Sequence, residues 1–293
     1  MAISDRPAAL EPAPRDPFSV AIVPVPAQAP AREAVADLGP ARLWHWDTGG
    51  DREPVVLLHA VVGSGAMWLY QQPVLAAAGY RVIGYSRRGH FGSEAGDPDD
   101  PGTAADDLRM LLDHLGVRRA HVIGTAAGGF AAADFAIRHP ERVRSLTLST
   151  SLVAVQDAAF MASTAALRPH AFESLPREFR EVGPAYRAAN PEGLALWLKL
   201  TGEAVATPVR QRFASSLDLA SLGRLAMPVL VIAADADMYA PPPVMKRLAD
   251  AIPEARLRLV TGAGHSAYWE QPEAFNALIL DFLGSLPPDA AGD

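Results

Sequence analysis

Short apolar, β-branched runs recur along the chain, separated by longer stretches with helical spacing. The runs at 42–46, 55–59, 81–85, 121–124, 145–148, 229–233 and 256–260 are mostly uninterrupted by polar residues, as strands covered on both faces read. Helical periodicity predicts helices over 103–115, 127–139, 242–251 and 273–283, and Leu108, Leu111, Leu112 and Leu115 mark the buried face of the first. Strands alternating with helices predict an α/β fold with a mostly parallel central sheet flanked by helices.

From about Leu152 to Leu222 the strand signal stops, and Ala, Leu, Phe and Arg recur around Pro169, Pro176, Pro184 and Pro191. This predicts a helical cap insertion, 152–222, lying over the carboxyl ends of the strands of a core formed by 36–151 and 223–286. Residues 1–35 are rich in Ala and Pro, with an apolar patch only at 18–25. They are expected to form a flexible leader with at most one short extended segment, and 287–293 a flexible tail.

At 293 residues, one domain with an excursion accounts for the length, and 49% apolar with 20% charged residues is ordinary for a folded protein. The formal charge of −7, without any Lys/Arg run, argues against a nucleic-acid partner. With no cysteine, the fold depends on neither a disulfide nor a thiolate metal site. No stretch approaches the roughly 18–20 apolar residues of a membrane span, and Asp5, Arg6, Glu11, Arg15 and Asp16 interrupt any signal core, so a cytoplasmic protein with no membrane partner is expected. Oligomeric state leaves no trace in the sequence.

The strongest local signal is His121-Val-Ile-Gly124-Thr125-Ala126-Ala127-Gly128-Gly129-Phe130, a strand entering a helix through a glycine-flanked turn. A sharp strand-to-helix elbow strains its central residue and presses neighbouring backbones together, so the positions two before and two after it must lack side chains. Gly124 and Gly128 stand there, with Ala126 between them. No His/Asp/Glu cluster has metal-ligand spacing. The glycine loop lacks both the Lys-Ser/Thr of a phosphate loop and the spacing of a dinucleotide fingerprint, so no cofactor is expected.

With Leu57-Leu-His59-Ala60, Tyr85-Ser-Arg87-Arg-Gly89-His90-Phe-Gly92-Ser93, Asp235-Ala-Asp237 and Gly262-Ala-Gly264-His265 in that order around the elbow, the chain resembles the α/β-hydrolase superfamily over about residues 40–285. The similarity is to its capped branch of enol-lactonases, esterases and carbon–carbon bond hydrolases. The resemblance implies Asp237 as the acid of a catalytic triad, His265 as its base and the N–H groups of Val61 and Ala127 as the oxyanion hole. Asp235 is a rival acid with a structural role expected instead. The nucleophile position falls on Ala126, and a methyl group cannot attack an acyl carbon. Thr125 and Ser64 are nearby hydroxyls, neither expected to replace it.

The remaining groups still form a catalytic kit: an imidazole oriented by a carboxylate is expected to act as a base near neutral pH, and two preorganised N–H donors stabilise an oxyanion. One reading is therefore an enzyme acting on a small, largely apolar ester, lactone or C–C bond substrate through a His–Asp dyad, by hydrolysis or a related cofactor-free lyase reaction. The alternatives are a serine hydrolase disabled by alanine and a non-catalytic small-molecule binder. Trp68, Thr125, Tyr239 and Tyr268 are candidate substrate-binding residues, with core packing an equal alternative for the aromatics. Phe160, Met161, Phe172, Phe179, Tyr186, Trp197 and Leu198 suggest an apolar cap surface, and Arg180 or Arg187 could meet a carboxylate. His59, His90, Arg87, Arg88 and Ser93 are expected to brace loops.

Overall fold

In the computed structural model, which describes residues 22–287, every predicted strand forms and an eighth joins them. The strands are β1 (Arg32–Asp37), β2 (Arg42–Asp47), β3 (Pro54–Leu58), β4 (Arg81–Tyr85), β5 (Ala120–Thr125), β6 (Val143–Ser149), β7 (Val229–Ala234) and β8 (Arg256–Val260). They form one sheet in the order β1-β2-β4-β3-β5-β6-β7-β8. β1 and β2 run antiparallel to their neighbours, and all pairings from β4 to β8 are parallel.

β1 crosses the expected leader boundary at 35. Its register against β2 runs from Arg32 opposite Asp47 to Asp37 opposite Arg42. Only Ala36 is buried, so this polar edge strand lacks the apolar run that marks the others. The first half of the apolar patch at 18–25 lies outside the described residues.

Alternation along the buried strands divides the core in two. In β3, Val56 and Leu58 join one apolar cluster and Val55 and Leu57 the other, because successive side chains leave a strand on opposite faces. The first face is covered by α2 (Ala104–His114), α3 (Ala127–Arg138) and α9 (Pro242–Asp250). The second is covered by α1 (Gln72–Ala77), α10 (Ala267–Glu270) and α11 (Pro272–Gly284). Thr103 ends its loop as an N-cap, its Oγ1 accepting from the Asp106 N–H.

Between β6 and β7 the chain makes α4 (Ala158–Ala166), α5 (Arg177–Glu181), α6 (Pro184–Ala189), α7 (Pro191–Ala204) and α8 (Leu219–Leu222), with no strand. After α7 the chain returns across the loop that follows β4, where Phe91 N–H donates to the Ala204 carbonyl and the Ala206 and Thr207 N–H groups donate to that of Gly89. The order β4-β3-β5 makes β3 a switch point, opening a crevice beyond its carboxyl end. The loops after β3, β5, β7 and β8 meet there. Among the described residues no helix is long and apolar enough to cross a membrane.

Candidate active site

Tight backbone packing builds the floor of the crevice. A Cβ on Gly124 would lie 2.5 Å from the Gly128 carbonyl oxygen, and one on Gly128 would lie 2.1 Å from that of Leu58. Between these glycines Ala126 adopts φ 50°, ψ −120°, a conformation that costs a non-glycine residue roughly 1–3 kcal/mol. Its N–H donates to the Ser149 carbonyl, and the Ser151 hydroxyl donates to its own carbonyl at 2.7 Å. Ala127 opens α3, so its N–H has no acceptor within the helix.

Across the crevice, His265 Nδ1 lies 2.9 and 3.0 Å from the two oxygens of Asp237. Asp237 Oδ1 also accepts from the N–H groups of Tyr239 and Ala240, which fixes the carboxylate after β7. Asp235 faces away and accepts from Gly262 N–H at 2.8 Å, tying the β7 loop to the β8 loop, as its expected structural role requires. Burial disfavours charge on His265, but the Asp237 carboxylate, with Glu181 and Glu270 behind it, outweighs burial and holds the imidazole up to about 9. The sequence offered one carboxylate partner, and the fold adds Glu181 and Glu270 to the surroundings of the ring, which favours its protonated form.

Ala60, Val61, Ala126, Ala127, Phe130, Thr150, Leu152, Arg168, Glu181, Tyr239 and His265 enclose a cavity of about 180 Å³. The structure thus brings His265, Val61, Ala126, Ala127 and Tyr239 to one space, with Asp237 directly behind the imidazole. It does not bring the other substrate-binding candidates there. Trp68 and Tyr268 pack ring to ring at 4.9 Å in the core beneath α11, because their places beside the motif loops point into the second apolar cluster. Thr125 is buried, with Oγ1 3.3 Å from that of Thr150, and Ser64 accepts from Ala66 N–H as a cap. Thr150 does line the cavity, but its hydroxyl donates to the His265 carbonyl.

His59 and His90 brace the wall under Val61. Arg87 N–H donates to His59 Nε2, whose ring contacts the Ala60 carbonyl through Nδ1 at 2.7 Å, and His90 Nε2 lies 3.1 Å from the Val61 carbonyl. Burial first, and Arg87 next, lowers the basicity of both rings. Arg88 makes two hydrogen bonds to Asp107, and Ser93 donates to the Ser86 carbonyl.

The helical insertion between β6 and β7 supplies residues that sequence reasoning missed. Arg168 and Glu181 line the cavity in place of Arg180 and Arg187. Arg180 reaches exposed Glu173, and Arg187 sits over the Phe179 ring at 3.9 Å. A second cavity of about 250 Å³ adjoins the first, shares Phe130, Leu152 and Arg168 with it, and is walled by Phe160 and Met161. Tyr186 and Trp197 are core residues, while Phe179 and Leu198 face solvent. Fully buried Glu270 fastens the cap to the histidine loop: its carboxylate accepts from the N–H groups of Gly183, Gly264 and Ser266. Among the described residues no group of three His, Cys, Asp or Glu could hold a metal ion.

A family model described as alpha/beta hydrolase fold matches residues 53–190 and 188–272. A candidate carbamate hydrolase, RutD, of Caulobacter sp. (strain K31) is 34% identical, over 82% of this chain and 95% of that protein. The 2-hydroxy-6-oxononadienedioate/2-hydroxy-6-oxononatrienedioate hydrolase of Cupriavidus pinatubonensis is 30% identical, over 82% and 89%. A thermophilic esterase from Thermogutta terrifontis superimposes with a TM-score of 0.70 at 25% identity, over 87% and 98%.

Proposed function

The chain belongs to the alpha/beta hydrolase fold family, and on that premise we propose that it hydrolyses small, largely apolar carbonyl compounds without a side-chain nucleophile. In this reading 152–222 acts as the cap of the site. His265 is the proton-transfer group, Asp237 orients it and offsets its charge, and the N–H groups of Val61 and Ala127 receive the developing oxyanion.

One observation carries the reading. The buried His265–Asp237 pair borders the same cavity as Ala126, Val61 and Ala127, and the hydroxyls of Thr125, Thr150, Ser151 and Ser64 are engaged with partners other than the imidazole. A buried acid–imidazole pair beside a cavity is a costly arrangement that structural packing does not call for. The two relatives described above are named as hydrolases and the solved structure as an esterase, which supports the reaction class. The apolar lining of the two adjoining cavities supports the substrate class.

The test pairs turnover with covalent labelling. The chain is expected to cleave an ester or lactone while remaining unlabelled by a fluorophosphonate, which requires an activated hydroxyl. Stoichiometric labelling mapped to Thr125, Thr150 or Ser64 contradicts the reading.

A further inference from the structure

We propose that Glu181, in the cap, is the general base of this site: its carboxylate takes a proton from the water that attacks the substrate carbonyl, while the His265 imidazolium protonates the departing oxygen. This inference rests on the hydrolase reading above and specifies how that site manages without a nucleophile.

Glu181 ends α5 and is only 4% exposed, yet it lines the cavity that His265, Val61 and Ala127 share. Among the described residues no arginine or lysine pairs with its carboxylate. The cap arginines nearest the cavity, Arg168 and Arg180, go instead to Glu173 at 3.8 and 3.4 Å. A carboxylate buried without a paired cation is expensive, and packing alone would be met by an apolar residue. Its position is fixed twice over. The Ser266 N–H, one residue beyond His265, donates to the Glu181 carbonyl at 2.8 Å, and Glu270 clamps Gly183, two residues further on, to the same loop.

The electrostatics assign the roles. Burial raises the Glu181 carboxyl, with Asp237 adding to the rise, while His265, Arg180 and the Tyr239 hydroxyl act the other way. Tyr239 neighbours both groups, its ring 4.5 Å from that of His265 and its hydroxyl interacting with the Glu181 carboxylate. The Asp237 carboxylate favours the protonated imidazole and so suits His265 to donate, which leaves Glu181, the carboxylate on the wall of the same cavity, as the acceptor.

For an ester, the water oxygen forms the new C–O bond as its proton passes to Glu181, and the carbonyl electrons move to the oxyanion held by Val61 and Ala127. Collapse breaks the ester C–O bond, and the departing oxygen takes the Nε2 proton of His265. The excess proton on Glu181 returns through solvent to His265, leaving acid and alcohol.

The experiment is the pH dependence of kcat/KM for an alkyl ester in the parent chain, Glu181→Gln, Glu181→Asp and His265→Ala. The parent should show an acid limb and a fall near pH 9. Glu181→Gln should lower the rate by roughly 10²- to 10⁴-fold and abolish the acid limb, and Glu181→Asp should keep the limb at a reduced rate. Turnover that His265→Ala abolishes but Glu181→Gln leaves within about threefold, acid limb intact, overturns the role of Glu181 alone. No turnover by the parent on any ester overturns the hydrolase reading as well. If Glu181→Gln melts below the assay temperature, Glu181→Asp decides: an acid limb supports the proposal and its absence overturns it.

Discussion

The floor of the cavity is built by close backbone packing, whereas the helical insertion beside it is fastened to the histidine loop largely by one buried side chain. Under Ala126 the glycines at 124 and 128 let peptide groups touch, and the Ala127 N–H at the start of α3 belongs to the main chain and has no rotamer to lose. Overhead, Arg168 Nε and Arg180 Nε are buried without a hydrogen-bond partner, and much of the seam to the histidine loop depends on the single carboxylate of Glu270. On the proposed reading, the backbone-built floor is where charge develops and the helical insertion is where substrates would be told apart.

Breaking the floor should be the most damaging change. In Gly128→Ala the new methyl meets the Leu58 carbonyl on a central strand, and soluble folded protein is expected to be lost, as read by circular dichroism. Asp237→Asn should leave the fold intact, since the amide oxygen can still accept from Tyr239 and Ala240. It should lower kcat by roughly 10³- to 10⁴-fold, because the imidazolium loses its compensating charge. A rate within tenfold of the parent would remove Asp237 from the mechanism.

Stability should follow the same pair. A histidine raised in the folded state stabilises most below its unfolded value of 6.5, and that stabilisation fades as pH rises through about 9. A loss of up to about 3 kcal/mol between pH 6.5 and 9.5 is expected in denaturant titrations, and it should be much smaller in His265→Ala.

Loosening the roof should cost less. Glu270→Gln puts an amide N–H₂ against backbone donors and should destabilise by about 2 kcal/mol, with faster hydrogen exchange at Gly183 and Gly264. The smallest effect sharpens the floor: Ala126→Gly should stabilise by about 1 kcal/mol, because relief of positive φ exceeds the entropy glycine adds to the unfolded chain.

The floor was legible in the sequence because glycine spacing is a direct record of backbone contact. His265 and Asp237 followed from the order of the motifs, and their 28-residue separation closed to a hydrogen bond at 2.9 Å. Strand β1 was obscured because an exposed edge strand needs no apolar run, and Arg-Glu-Ala-Val-Ala-Asp offers only one buried residue. Glu181 was hidden differently. Arg-Glu-Phe-Arg-Glu reads as a solvated helical face, and only the fold buries its last residue against the cavity that His265 lines. Trp68 and Tyr268 misled because adjacency to motif loops does not say on which side of the sheet a ring will fall.

The central claim is that this site turns over carbonyl substrates through His265 without a side-chain nucleophile. It is tested most directly by running esters, lactones, β-diketones and ring-cleavage products on the parent chain, Ala126→Ser and His265→Ala side by side. The account predicts turnover by the parent that disappears in His265→Ala and does not rise in Ala126→Ser. Turnover by Ala126→Ser alone would contradict it and identify the chain as a disabled serine hydrolase or a binder.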